Sequence, residues 1–148
     1  MSAARLRLSV ACLLLALTAP GAAAEFVTIG DHQIHYNAVR ADFIPASVAR
    51  AHGLTRSGTR ALVNITVLRR ADDGTTTPMA ASITLQVRNL LGQTQNVTMR
   101  AIREPRALYY IGEFRISGVD TYRFEAVVEP EGGRGPHTLR WSQELFAD

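Results

Sequence analysis

Two histidines three residues apart, His32 and His35, are the first side chains in this chain whose chemistry could be specific, because paired imidazoles can hold a metal ion. Residues three apart on a strand point to opposite faces, so both would reach one ion only if the neighbouring turn bends them together; the plain alternative is a polar turn. His52 and His137 lie far away in sequence. A copper site would need soft ligands such as Met79 or Met99 gathered in one place, and Met99 falls on an apolar face, where methionine serves as core filler. The residues specify no cofactor.

Catalysis has fewer footholds. No serine lies in a Gly-x-Ser-x-Gly turn and no carboxylate pair is marked out by spacing. Asp72-Asp73-Gly74 reads as a turn, and Gly132-Gly133-Arg134-Gly135 as a flexible loop, since it follows a strand without opening a helix around a phosphate. A Ser-His-Asp arrangement assembled only in three dimensions remains an open alternative. Two arginine groups could bind anions: Arg56 with Arg60 around Ser57-Gly58, and Arg100, Arg103 and Arg106. The second group has mixed strand parity and need not form one patch, whereas Arg56 and Arg60 fall on a loop beside a short helix, a common place for binding.

The elements that must position these residues follow a leader-like segment. Arg5 and Arg7 give a positive start, Leu8 to Ala19 is almost wholly apolar, and Ala22-Ala23-Ala24 supplies small residues for a cut, so residues 1–24 are expected to be a cleavable secretory signal. The apolar run is too short to span a membrane. The single cysteine, Cys12, lies within it, so the mature chain would carry no disulfide and depend on burial. All sixteen basic residues are arginine, and after loss of Arg5 and Arg7 the charge falls from +3 to +1 against thirteen acidic residues, which argues against nucleic-acid binding.

From Glu25 onward apolar residues recur at every second position, the period of a half-buried strand. Val63, Ile65 and Val67 form one such run, and Ile83, Leu85 and Val87 another. A third holds Val97, Met99 and Ala101, paired to its predecessor through Leu91-Gly92-Gln93. Leu108, Tyr110, Phe114 and Ile116 share a face, and a turn at Ser117-Gly118-Val119-Asp120 predicts a second hairpin with Tyr122, Phe124, Ala126 and Val128. Tyr109 and Ile111 face the other way, either covered or exposed. Glu129 to Pro136 reads as a loop, Leu139, Trp141 and Leu145 as the last strand, and Phe26–Ile29 with Gln33–Val39 as an opening hairpin. Pro45 to His52, closed by Gly53, predicts a short helix acting as a lid or corner. The pattern predicts an all-β, antiparallel two-sheet sandwich, immunoglobulin-like, of seven or eight strands with one short helix; a small closed β-barrel is the alternative. Asn64-Ile65-Thr66 and Asn96-Val97-Thr98 match the glycosylation pattern but fall within strands.

His35-Tyr36-Asn37-Ala38, Phe43-Ile44-Pro45, Leu62-Val63-Asn64-Ile65 and Asn89-Leu90-Leu91-Gly92-Gln93 together resemble a family of bacterial periplasmic proteins, the domain of unknown function numbered forty-four twenty-six. The resemblance continues through Ile102-Arg103-Glu104, Tyr109-Tyr110, Glu113-Phe114-Arg115 and Tyr122-Arg123-Phe124. It implies an envelope location and a sandwich-like fold, with no assigned reaction, cofactor or partner. The expected function is therefore a non-catalytic binding or accessory module of the periplasm, serving an envelope protein or ligand that the residues do not name, in an oligomeric state they do not fix. Its candidate surface is Tyr36, Asn37, Phe43, Arg56 and Arg60. An envelope hydrolase or a metal-handling protein is the alternative.

Overall fold

A computed structural model describes residues 25–148; the expected signal at residues 1–24 lies outside them. The described residues form ten strands and one α-helix in two antiparallel sheets with no closed barrel. The larger sheet has the order β1 (Glu25–Ile29), β2 (His32–Arg40), β3 (Arg60–Arg70), β8 (Ala107–Arg115) and β7 (Arg100–Glu104), with β4 (Thr76–Pro78) on the far end of β3. The smaller sheet has the order β10 (His137–Phe146), β9 (Val119–Pro130), β5 (Ala81–Arg88) and β6 (Thr94–Val97).

Alternation decides what lies between the sheets. Ile34 and Ala38 on β2, Val63, Ile65 and Val67 on β3 and Tyr110 and Phe114 on β8 face Leu85 and Val87 on β5, Phe124 and Val128 on β9 and Leu139 on β10. Aromatic rings run through this core: Trp141 stacks on Phe124 at 4.7 Å, and Phe114 meets the edges of Tyr122 and Phe124 at 5.6 Å each. The Tyr110 and Tyr122 hydroxyls accept hydrogen bonds from the Ala81 and Ser117 backbone N–H groups, which lets these large rings be buried with their polar ends satisfied.

Helix α1 (Ala46–His52) makes a second core on the outer face of the larger sheet. Val48 and Ala49 from the helix, with Ile44 and Leu54 beside it, cover Leu62, Ile102, Tyr109 and Ile111. Tyr109 and Ile111 are thus buried, and the helix is a packed cover. It stops where expected, because Gly53 adopts φ 62°, a left-handed conformation that glycine takes without a side-chain penalty. Arg100 reaches over from β7 and donates to the His52 carbonyl at this end, where a cation also suits the helix dipole.

Three expectations are corrected. Val97 to Ala101 is not one strand: β6 pairs with β5 in the smaller sheet, and after Thr98-Met99 the chain enters β7 beside β8 in the larger one. An alternating run keeps its alternation through such a crossing, so the sequence shows no break. Likewise β8 and β9 form no hairpin, because the turn after Ile116 carries the chain from one sheet to the other. Finally, the run at Glu129-Pro130 is still strand. Pro130 pairs with Ala81 on one side, and β10 begins only opposite Val128, so the missing proline N–H leaves no ladder bond unmade on the other.

Candidate interaction surface

The β2 strand ends in a turn of 3-10 helix, Ala41–Phe43, and at this corner a polar cluster forms around Arg40. Arg40 has inward strand parity but lies beyond the last core residue, Ala38, so its guanidinium emerges at the end of the sandwich rather than within it. Its Nε donates to Asp42 Oδ1 at 2.6 Å, Nη1 donates to the Phe146 carbonyl at 3.2 Å, and Nη2 lies 3.8 Å from Asp148 Oδ2. The Phe43 and Phe146 rings flank the guanidinium at 4.5 and 4.8 Å. The bond to Asp42, above all, holds Arg40 even more firmly in its charged form. Arg40 therefore ties the β2 corner to the C-terminal residues.

Further bonds close the same end. Ala147 N–H donates to the Gly118 carbonyl at 2.7 Å, Asp148 N–H to the Gly58 carbonyl at 3.1 Å, and Leu90 N–H to Asp120 Oδ1 at 3.3 Å. Val119 pairs with Phe146 across β9 and β10. These contacts bring Phe43, Phe146, Val119, Leu90 and Leu91 to one end of the sandwich. They are five of the six large apolar side chains exposed among the described residues; Phe26, stacked on His35, is the other. Val119 is 73% exposed and Leu91 84%. Exposed apolar side chains gathered at one end of a fold mark a place where another molecule can bind.

The five residues singled out from the sequence are distributed as follows. Phe43 lies in the patch. Arg56 sits beneath it, donating through Nε to the Ile44 carbonyl at 2.7 Å and through Nη2 to the Asp42 carbonyl at 2.8 Å, and so clips the segment after α1 to the segment before it. Arg60 Nη1 is 3.6 Å from Glu113 Oε2, while Glu113 also accepts from the Thr55 N–H. Tyr36 lies on the inner side of β2 against Trp141, 4.6 Å between rings, with its hydroxyl donating to Glu25; burial first, and then that carboxylate, push the phenol pKa up. Asn37 lies half-buried on the opposite face of β2. Only Phe43 and the two arginines share one region. Sequence reasoning missed Leu90, Leu91, Val119 and Phe146, for which the available signal was an apolar residue in a turn or at a strand end, at odds with the surrounding alternation.

His32 and His35 point to opposite faces of β2, His32 inward beside Asp31 and His35 outward against Phe26. Among the described residues no three His, Cys, Asp or Glu side chains gather where they could hold a metal ion. Burial lowers the His35 pKa, and its Nε2 has no hydrogen-bond partner. Because the unfolded chain then binds the proton more tightly than the folded one, stability falls as pH drops below about 6.5. His35→Phe, which keeps the ring stack, is expected to flatten the difference between urea midpoints at pH 7 and pH 5; an unchanged difference would contradict this assignment.

The family model for the domain of unknown function DUF4426 matches residues 26–148. The chain belongs to that family. A DUF4426 family protein of Pseudomonas aeruginosa PAO1, known from a crystal structure, is 28% identical, with a TM-score of 0.72 over 84% of this chain and 96% of that one. FetP of uropathogenic Escherichia coli strain F11, expressed in the periplasm, is 15% identical with a TM-score of 0.62 over 85% of this chain and 95% of its own. A copper-bound variant of FetP gives 16% and 0.62, over 85% and 97%. At such identity FetP shares the fold alone. No curated protein matches the chain. No helix among the described residues is long and apolar enough to cross a membrane.

Proposed function

We propose that this DUF4426 member is an exported periplasmic binding module, with residues 1–24 as its cleaved signal and the rest as one domain, and that it engages an envelope protein through the end of the sandwich formed around Arg40. The observation that carries this reading is the gathering of Phe43, Val119, Phe146, Leu90 and Leu91 at one end, on a 3-10 turn, two strand ends and the turn after β5, which a rigid two-sheet scaffold holds in place. Arg56 and Arg60 support the segment behind the patch, so their contribution to binding is through its shape.

The test is capture from crosslinked envelope extract, with the affinity tag inserted in the Glu131–Pro136 loop at the far end so that the patch stays free. Wild type is expected to enrich a protein that Leu91→Asp/Val119→Asp loses and Phe26→Asp retains. Both patch side chains are largely exposed, so the double variant should fold. Identical capture by all three would refute the surface. Metal handling is the competing reading, because the FetP variant binds copper. Copper added to protein purified without chelators is expected to leave Tm unchanged; stabilisation by several degrees would replace the present reading with that one.

A further inference from the structure

The outward face of the smaller sheet carries an arrangement that sandwich stability does not call for. Arg88 on β5 and Arg123 on β9 are directly opposite one another in register, both exposed, with Ser142 of β10 opposite Arg123 on its other side. Like charges directly opposed across a strand pair are destabilising. The next row places Arg140 opposite Glu125, and Glu125 is already taken by Arg140, 2.8 Å from its Nε to Glu125 Oε2. Arg88 Nε donates to Thr94 Oγ1 at 3.3 Å, a neutral partner that leaves its terminal nitrogens available and its charge unmatched. Glu144, diagonal to Arg123 on this face, forms no ion pair with it. Arg88, Arg123, Arg140, Glu125 and Ser142, with Gln86, line an open concavity of about 500 Å³.

We infer that this concavity is an oxyanion site whose ligand is a phosphoryl group. Facing residues on paired strands have Cα atoms only ~5 Å apart, so two guanidinium forks can close on one small anion. Two forks and the Ser142 hydroxyl offer more donors than the two oxygens of a carboxylate accept, whereas a phosphoryl group has enough oxygens to take them all. Arg123 is the central donor, Arg88 the second, and Ser142 the flanking hydroxyl; Arg140 adds positive potential while its pair with Glu125 holds the rim. The bound anion removes the repulsion between Arg88 and Arg123, which links binding to stability. The site lies on the outward face of the smaller sheet, beside the apolar end but built from donors that are not part of the patch.

Tm is measured for the purified protein in inorganic phosphate against chloride at equal ionic strength, and flotation is measured with phosphatidylglycerol and with phosphatidylcholine vesicles. Wild type is expected to gain roughly 3–5 °C in 10 mM phosphate. Arg88→Gln and Arg123→Gln should each weaken phosphate binding by on the order of tenfold. Without phosphate, Arg123→Gln should melt ~2 °C higher than wild type, because it relieves the like-charge pair. Flotation with phosphatidylglycerol alone would make a lipid headgroup the source of the phosphoryl group. A phosphate shift without flotation would make it a soluble phosphate or phosphate ester. No shift in wild type, an equal shift in both variants, or a lower ligand-free Tm for Arg123→Gln would each overturn the site. Leu91→Ser/Val119→Ser, which removes apolar surface from the patch without adding charge near Arg88 and Arg123, should retain the phosphate shift, which keeps failure here distinct from failure of the protein-binding surface.

Discussion

Gly112→Val is expected to destabilise the protein by about 3 kcal/mol, measured by urea unfolding, with an unchanged m-value. Gly112 sits in the middle of β8 on its inward face, where a side chain would normally fill the core. That space is already occupied by the crossing between the sheets: a Cβ at Gly112 would overlap Val97 Cγ1, lie 2.6 Å from Met99 Sδ and 3.3 Å from the Thr98 carbonyl oxygen. Met99 is flexible, but Val97 is buried and Thr98 contributes backbone, so the crossing can yield only in part. Gly112→Ala should therefore cost less than the valine variant and more than an exposed substitution. A stability within about 0.5 kcal/mol of wild type for Gly112→Val would show that the crossing is not packed as described.

Arg40→Ala is expected to lower Tm by roughly 5–10 °C and to free the C-terminus. The substitution leaves the Phe146 carbonyl without its donor and Asp42 without its cation, and removes the plate between the Phe43 and Phe146 rings. Arg40→Met retains much of the apolar stem and should lose about half as much, separating packing from charge. Hydrogen exchange at Ala147 and Asp148, whose N–H groups are bonded to Gly118 and Gly58, should accelerate in both variants. If those amides stay protected in Arg40→Ala, the clamp is not what holds the C-terminus. Since Phe43 and Phe146 belong to the apolar end, loss of the clamp should also weaken partner capture more than loss of Arg60, whose ion pair with Glu113 lies to one side.

The legibility of this protein differs by element. Period-two alternation located β3, β5, β9 and β10 because each turns one face to a single core, and the pattern records that directly. The same rule correctly separated Tyr110 from Tyr109, but it could not say what covered Tyr109, since that depends on where α1 packs after a turn of chain far away in sequence. The strand pairings of β6 to β9 failed for a related reason: alternation reports which side of a strand is buried, not which of two facing sheets the strand belongs to, because both sheets bury their inner faces in the same core. Spacing places Arg56 and Arg60 together on a loop beside the helix, whereas Arg60 opens β3, and the backbone carbonyls and carboxylate that engage the two come from residues no spacing rule connects.

By itself, then, the sequence determined the all-β class, the two-sheet sandwich, the position of the short helix and its glycine stop, and the membership of DUF4426, all of which rest on local pattern or on the joint presence of short words along the chain. The tertiary structure alone decided the assignment of strands to sheets, the Arg40 clamp, the opposition of Arg88 and Arg123, and the convergence of Phe43, Leu90, Leu91, Val119 and Phe146. Each of these joins residues separated by tens of positions, Arg40 and Phe146 for example being 106 apart, and such proximity is set by how the two sheets stack rather than by any periodicity in the chain.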